Sequence, residues 1–263
     1  MNRLRWALAD GATLTRRDLD HWARQPAQVV IGLLFPVMIM LMFGYLLGGG
    51  MTVPGGGSYR EFLIPGTLAL TMVFGLEGTF QAIKNDVAKG VTDRFRSMPM
   101  ASSAVVVGRS VADLLNAVVS LAALVLCGLA VGWRWHSGLA AALAAVGLLL
   151  LLRFAMLWIG IWLGLVVRGE GALVAVQIVV WPLGFLSSTF AAPSTMPGWL
   201  GAIASWNPLS STVGAARELF GNPGWGGSSW VEQHAILLAV LWPAALIAIF
   251  APLSVHRYRG LDR

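Results

Sequence analysis

The stretch LAAALAAVGLLLLLRFAMLWIGIWLGLVV, residues 139–167, decides the fold. It carries one ionisable group, Arg153, and no proline. A strand needs roughly 5–6 residues, whereas a helix crossing a bilayer needs about 20 apolar ones. The run therefore reads as a membrane-crossing helix. Five further apolar runs lie near 29–47, 62–83, 105–132, 171–191 and 234–255. Runs 105–132 and 139–167 exceed the length of a span, so those helices tilt or protrude. Pro36, Pro182 and Pro243 fall inside runs, where proline bends a helix and frees a carbonyl.

Composition points to the same class. Of 263 residues, 57% are hydrophobic and 11% are charged. Ordinary soluble domains carry about 25% charged residues to cover their surface. The net charge of +6 does not mark a nucleic-acid binder, because the basic residues lie between apolar runs and form no patch. The single cysteine, Cys127, sits in an apolar run; it allows no intrachain disulfide and reads as a small buried residue. No short apolar core with a small-residue cleavage site follows Met1, so no cleavable signal is expected. The expected fold is an all-α membrane protein, one domain over residues 1–263 with six transmembrane helices.

Residues 1–27 precede the first run. Leu4, Leu8, Ala12, Leu19 and Trp22 recur at helical spacing, with Arg3, Arg5, Arg16, Arg17 and Arg24 between them. That pattern suits an amphipathic helix in the membrane interface, basic face toward anionic headgroups; the alternative is a solvated lead-in.

Basic residues orient the spans. With the N-terminus cytoplasmic, its arginines lie inside. So do Lys84, Lys89, Arg94, Arg96 and Arg109 around the second connection, and Arg168, Arg257, Arg259 and Arg263. Only Arg60, Arg134 and Arg217 fall outside, and Arg153 is mid-span. Both termini are therefore expected in the cytoplasm of a bacterial cell, with the chain crossing its cytoplasmic membrane. Trp133 and Trp135 mark an outer boundary, and Trp199, Trp206, Trp225 and Trp230 crowd residues 192–233. Tryptophan favours the headgroup level, so this external segment is expected to fold back as short re-entrant helices, one over Ser211 to Phe220. Gly221 to Gly227 reads as a turn before the last span.

Signatures of soluble chemistry do not occur. The sequence has no G-x-x-x-x-G-K-[ST], H-E-x-x-H, C-x-x-C or G-x-S-x-G. His21, His136, His234 and His256 are scattered near expected water boundaries and read as solvated. No metal site or bound cofactor is expected, and the chain is not expected to be an enzyme.

The connection KNDVAKGVTDRFRSMPM, residues 84–100, is the most informative loop. Val91, Phe95 and Met98 share a helical face, while Asp93, Arg94 and Arg96 are polar. Gly90 permits a bend before this short helix and Pro99 stops it. Such a helix either docks on a soluble partner, apolar anchors in a groove and charges fixing register, or lies on lipid.

These residues carry a resemblance. DRFRSMPM at 93–100, GRSVAD at 108–113, MPGWL at 196–200, WNPL at 206–209 and Ala216-Arg217 resemble the cytoplasmic and external blocks of type-2 ABC transporter permeases. The daunorubicin-resistance-type branch of actinobacteria is the nearest in pattern. The resemblance implies a division of labour. A separate ATPase subunit would bind ATP and Mg2+, and two permease chains, identical or paralogous, would form the path. Gly90 to Met98 would be the coupling helix seated in the ATPase, and residues 1–27 the connecting helix. Spans one and five would line the dimer interface and the substrate route. Lys89-Gly90 and Met98-Pro-Met depart mildly from the family pattern, which leaves the docking contacts open.

Ionisable groups inside spans cost roughly 2.5–3.5 kcal/mol each on insertion scales. Glu77, Arg153 and Asp113 are the candidates. Glu77 and Arg153 both lie roughly 21–23 Å from the outer ends of their spans at about 1.5 Å per residue. A Glu77–Arg153 pair is therefore the leading expectation; the alternatives are substrate contact and snorkelling of Arg153. Arg109 and Asp113 are spaced for a pair within one helix, and Asn116 is a turn further on. Gln81 and Asn85 extend the Glu77 face. Gly128-x-x-x-Gly132 and Gly160-x-x-x-Gly164 read as packing sites. Phe35, Met38, Met42 and Tyr45, with Met40 and Phe43, give span one a soft surface. It reads residue by residue as core or lipid contact, and as a set as a path for an apolar or amphipathic substrate.

The expected function is the permease of an exporter of drug-like or lipid-like molecules. The alternatives are export of a polysaccharide or glycolipid, and an ATP-independent channel or secondary transporter. The last would want internal repeats, and none is evident.

Overall fold

The computed structural model describes residues 26–48, 50, 53, 56–88, 102–167, 169, 171–224 and 229–260. The amphipathic segment expected before residue 26 and the coupling residues Gly90, Val91, Asp93, Arg94, Phe95, Arg96 and Met98 lie outside the described residues. All regular structure among the described residues is helical. In chain order the helices are α1 (Pro26–Leu41), α2 (Tyr59–Ala88), α3 (Ser102–Ala130), α4 (Gly138–Val166), α5 (Ala172–Phe185), α6 (Gly198–Trp206), α7 (Pro208–Phe220), α8 (Trp230–Gln233) and α9 (Ala235–Gly260). A π-helical turn, Met42–Leu47, continues α1, and a 3-10 turn spans Pro193–Thr195. Stretches of α2, α3, α4 and α9 are long and apolar enough to cross a membrane, and Gly32–Leu46 and α5 are shorter apolar helices.

The helices follow the apolar runs to within a few residues, except at α5. That helix stops at Phe185, short of the expected 191. Pro182 lies in its last turn, and Leu186 to Ala192 leave the helix. Non-helical backbone survives at membrane depth only where protein satisfies its polar groups. Side chains from beyond the break do this here, as described below.

The core lies between α2 and α4. The apolar stretch of α2 is 72% buried and that of α9 is 17% buried, so α2 is an axis of the bundle and α9 its periphery. Leu68, Leu76 and Phe80 of α2 join Leu149 and Leu152 of α4 and Val213 of α7 in one cluster. Small residues allow the approach. A Cβ on Gly160 would stand 2.9 Å from the Leu76 carbonyl oxygen, and one on Gly164 2.8 Å from Ile83 side-chain carbons. The Gly160/Gly164 packing expectation therefore holds. Gly132 instead takes φ +99 in the turn after α3, so its role is that turn and not helix packing.

The tryptophans divide. Trp199, Trp206 and Trp230 are more than half exposed, as headgroup residues would be. Trp133 is fully buried. Its Nε1 donates to Asn222 Oδ1 at 2.8 Å and its ring meets Phe220 edge-on at 5.0 Å. It is an interior anchor for the turn after α7. Hydropathy could not separate these fates, because both place an amphipathic ring near an end of the bundle.

Candidate functional site

Three arrangements carry polar chemistry inside the bundle. The first joins α2, α3 and α4. Arg153 Nη2 forms an ion pair with Asp113 Oδ2 and donates to Thr79 Oγ1 at 2.9 Å. The Thr79 hydroxyl in turn donates to Asp113 Oδ2 at 3.0 Å. The side chains of Arg153 and Asp113 are 5% and 11% exposed. The guanidinium lies over Gly75, where a Cβ would stand 2.6 Å from Nη1. That Nη1 has no hydrogen-bond partner among the described residues.

This corrects the expected Glu77–Arg153 pair. The common depth was right, but Gly75 and Thr79 are one turn apart on the α2 face toward α4. Residue 77, at about 100° per residue, lies on the opposite side of that helix. Asp113 pairs across helices with Arg153; the side chain of Arg109, its expected partner within α3, lies outside the described residues. Asn116 is half-buried and takes no part in the pair.

The second arrangement repairs the break after α5. Asn207 is the N-cap of α7, its Oδ1 accepting from Leu209 N–H at 2.9 Å. Its Nδ2 donates to the carbonyls of Leu183 and Leu186 at 2.7 and 2.8 Å, which closes the end of α5. Ser210 Oγ accepts from Ser188 N–H at 2.9 Å. Arg217 is fully buried. Its Nε donates to the Phe62 carbonyl at 2.8 Å, and its Nη2 to the Ser188 and Thr189 carbonyls at 2.8 and 3.1 Å. Its guanidinium carbon sits 3.4 Å from the centroid of the Phe62 ring. Burying a cation is unfavourable, and here three carbonyls and a π face offset part of the desolvation, while Nη1 has no hydrogen-bond partner among the described residues. The Asn-Pro and Ala-Arg motifs at 207–208 and 216–217 are thus a clasp tying α7 to α2 and α5.

The third arrangement is a face formed by α1, α2 and α5. Glu77 is half-buried. Its Oε1 accepts from Trp181 Nε1 at 2.6 Å and its Oε2 from Gln177 Nε2 at 2.9 Å. Beside this Trp181 ring, Phe35 lies 5.6 Å from Trp181 and 6.1 Å from Phe74 between ring centroids. Phe74 is 5.7 Å from Trp181, which is 6.5 Å from Phe185. Met38, Met42 and Tyr45 of the α1 strip and Ile178 of α5 are exposed. Met40 is buried, and Phe43 packs at 4.7 Å on Phe190, so only part of the span-one set faces out. Arg60 stands 4.3 Å from the Tyr45 ring. Gln81 donates to Asn85 within the helix at 3.0 Å and does not join Glu77. Sequence reasoning missed Gln177 and Trp181, which sit at i, i+4 in α5 and present two N–H donors on one face.

Comparison with known proteins adds to this geometry. A family model described as ABC-2 type transporter matches residues 11–220. The chain is 35% identical over 257 residues to the daunorubicin resistance ABC transporter permease protein DrrB1 of Streptomyces coeruleorubidus, covering 97% of this chain and 88% of that protein. It is 22% identical over 262 residues to the probable doxorubicin resistance ABC transporter permease protein DrrC of Mycobacterium tuberculosis, covering 98% and 92%. It is 26% identical over 220 residues to the putative transport permease ycf38 of Porphyra purpurea, covering 81% and 74%.

Proposed function

Because the chain belongs to the ABC-2 type transporter family, we propose that it is the permease subunit of an ATP-driven exporter of apolar or amphipathic, drug-like or lipid-like molecules. It crosses the bacterial cytoplasmic membrane six times, both termini inside, and works with a second permease chain. ATP and Mg2+ belong to a partner ATPase subunit. Residues 90–98 form the helix that seats in that partner, with Phe95 as anchor and Arg94 and Arg96 setting register.

The observation that carries the substrate class is the exposed face of α1 and α5. Met38, Met42, Tyr45 and Ile178 offer a deformable apolar surface at membrane depth. A path for a sugar polymer would want hydrogen-bonding groups along that surface. The basic residues gathered on one side of the spans support the orientation. The names of the relatives, two of them drug-resistance permeases, support the reading as well.

The test is co-purification with a candidate P-loop ATPase, followed by ATP hydrolysis in lipid. The wild-type pair should assemble and respond to apolar substrates. Phe95→Ala and Arg94→Glu should insert normally yet lose assembly or stimulation. Normal coupling in both variants would show that the docking helix lies elsewhere.

A further inference from the structure

Glu77 is an acid in an apolar helix with no basic partner among the described residues. Its two oxygens are held by neutral donors, Trp181 Nε1 and Gln177 Nε2. The nearby cations are committed elsewhere. Arg153 is bound to Asp113 on the opposite side of α2, and Lys84 Nζ donates to the Gly169 carbonyl at 2.7 Å. Among the described residues no basic side chain pairs with Glu77, and a carboxylate in apolar surroundings is unfavourable without a counter-charge. Yet it is well oriented: two donors from α5 fix both oxygens, and the ring of one of them, Trp181, lies 5.6 Å from Phe35 and 5.7 Å from Phe74 between centroids. A structural ion pair would be buried, as Arg153–Asp113 is. Glu77 is instead half-exposed on the face where Trp181 is 38% exposed and Phe185 41% exposed.

We propose that Glu77, with the Phe35, Phe74 and Trp181 ring cluster, binds the ammonium group of a lipophilic cation. The charge complement of a desolvated carboxylate is a cation, and aromatic faces attract ammonium groups more strongly once water is excluded. Trp181 has both roles, its N–H on the carboxylate and its ring in the cluster. The exposed Met38 and Met42 side chains and Ile178 of α5 take the apolar body of the same molecule. The proposal rests on the exporter reading and narrows it. Neutral apolar molecules would use the face without Glu77, and amines would use both.

The test uses the full chain in lipid nanodiscs and two probes, a dansyl-alkylamine and its N-acetylated, uncharged derivative. Energy transfer from tryptophan to dansyl reports binding to protein and not to lipid alone. Wild type should bind the amine more tightly than the amide. Glu77→Gln keeps the size and an acceptor oxygen; it should weaken the amine about tenfold, the loss expected when a charged hydrogen bond becomes neutral. It should leave the amide unchanged, and Glu77→Asp should keep part of the preference. Wild type without preference, or equal effects on both probes, overturns the site. ATP-driven uptake of the two probes by the complex with the ATPase separates this from the exporter reading. Uptake indifferent to charge in wild type and Glu77→Gln keeps the exporter and removes the site. Charge-selective binding without uptake keeps the site and removes the exporter.

Discussion

Replacing Asp113 with alanine removes the charge that holds Arg153 inside the bundle. The guanidinium is 5% exposed and would keep only the Thr79 hydroxyl, with Nη1 already unpartnered. Orphaning one member of a buried pair costs about 3–5 kcal/mol. At roughly 2–4 °C per kcal/mol for a chain of this size, the melting temperature should fall about 6–20 °C. Arg153→Met leaves the less buried Asp113 with Thr79 still donating to it, so it should cost less. The double substitution removes both charges and should recover much of the loss, giving a coupling of about 2–4 kcal/mol. The assay is a double-mutant cycle on thermal unfolding of the purified chain in detergent. Glu77→Ala with Arg153→Met is the control, and those effects should add to within about 0.5 kcal/mol. Additive effects at Asp113, or strong coupling at Glu77, would refute the assignment of the pair.

Gly160→Val should push α2 from α4, because its first carbon would meet the Leu76 carbonyl at 2.9 Å; overpacking of this kind costs about 1–3 kcal/mol, read as a lower melting temperature. Arg217→Lys keeps the charge but cannot reproduce the fork on Phe62, Ser188 and Thr189. It should cost about 2–3 kcal/mol and speed hydrogen exchange at residues 186–192 before the rest of the bundle. Trp133→Phe removes the bond to Asn222 while keeping the edge contact with Phe220, and should cost about 1 kcal/mol in the same unfolding assay.

The helices were legible because lipid-crossing segments must be long, apolar and internally hydrogen-bonded, a constraint visible residue by residue. The end of α5 was not, because what replaces its last turn is Asn207 and Arg217, remote in sequence, whose partners only the fold brings to it. Glu77 and Arg153 show the same limit more sharply. Counting residues along a helix gives depth, and depth was correct; which neighbour a side chain meets depends on rotation about the axis. A usable signal was present. Arg153 lies within about 20° of Gly160 and Gly164 on the α4 wheel, and Gly75 and Thr79 form a small-residue strip on α2. Small residues mark the faces that approach closely, so these strips pointed Arg153 at Thr79 and away from Glu77. The partner on α3 needed the fold itself. The aromatic cluster at Trp181 also came only with the fold, since Phe35, Phe74 and Trp181 belong to three helices.

The central claim is outward transport driven by ATP through this chain. Inverted membrane vesicles holding the chain and its ATPase partner test it most directly, with uptake of a fluorescent amphipathic amine as the readout. Uptake is predicted to require ATP and both chains, to stop with either chain alone, and to persist when the proton gradient is collapsed. Uptake without ATP, or driven by the gradient with the ATPase absent, would contradict it.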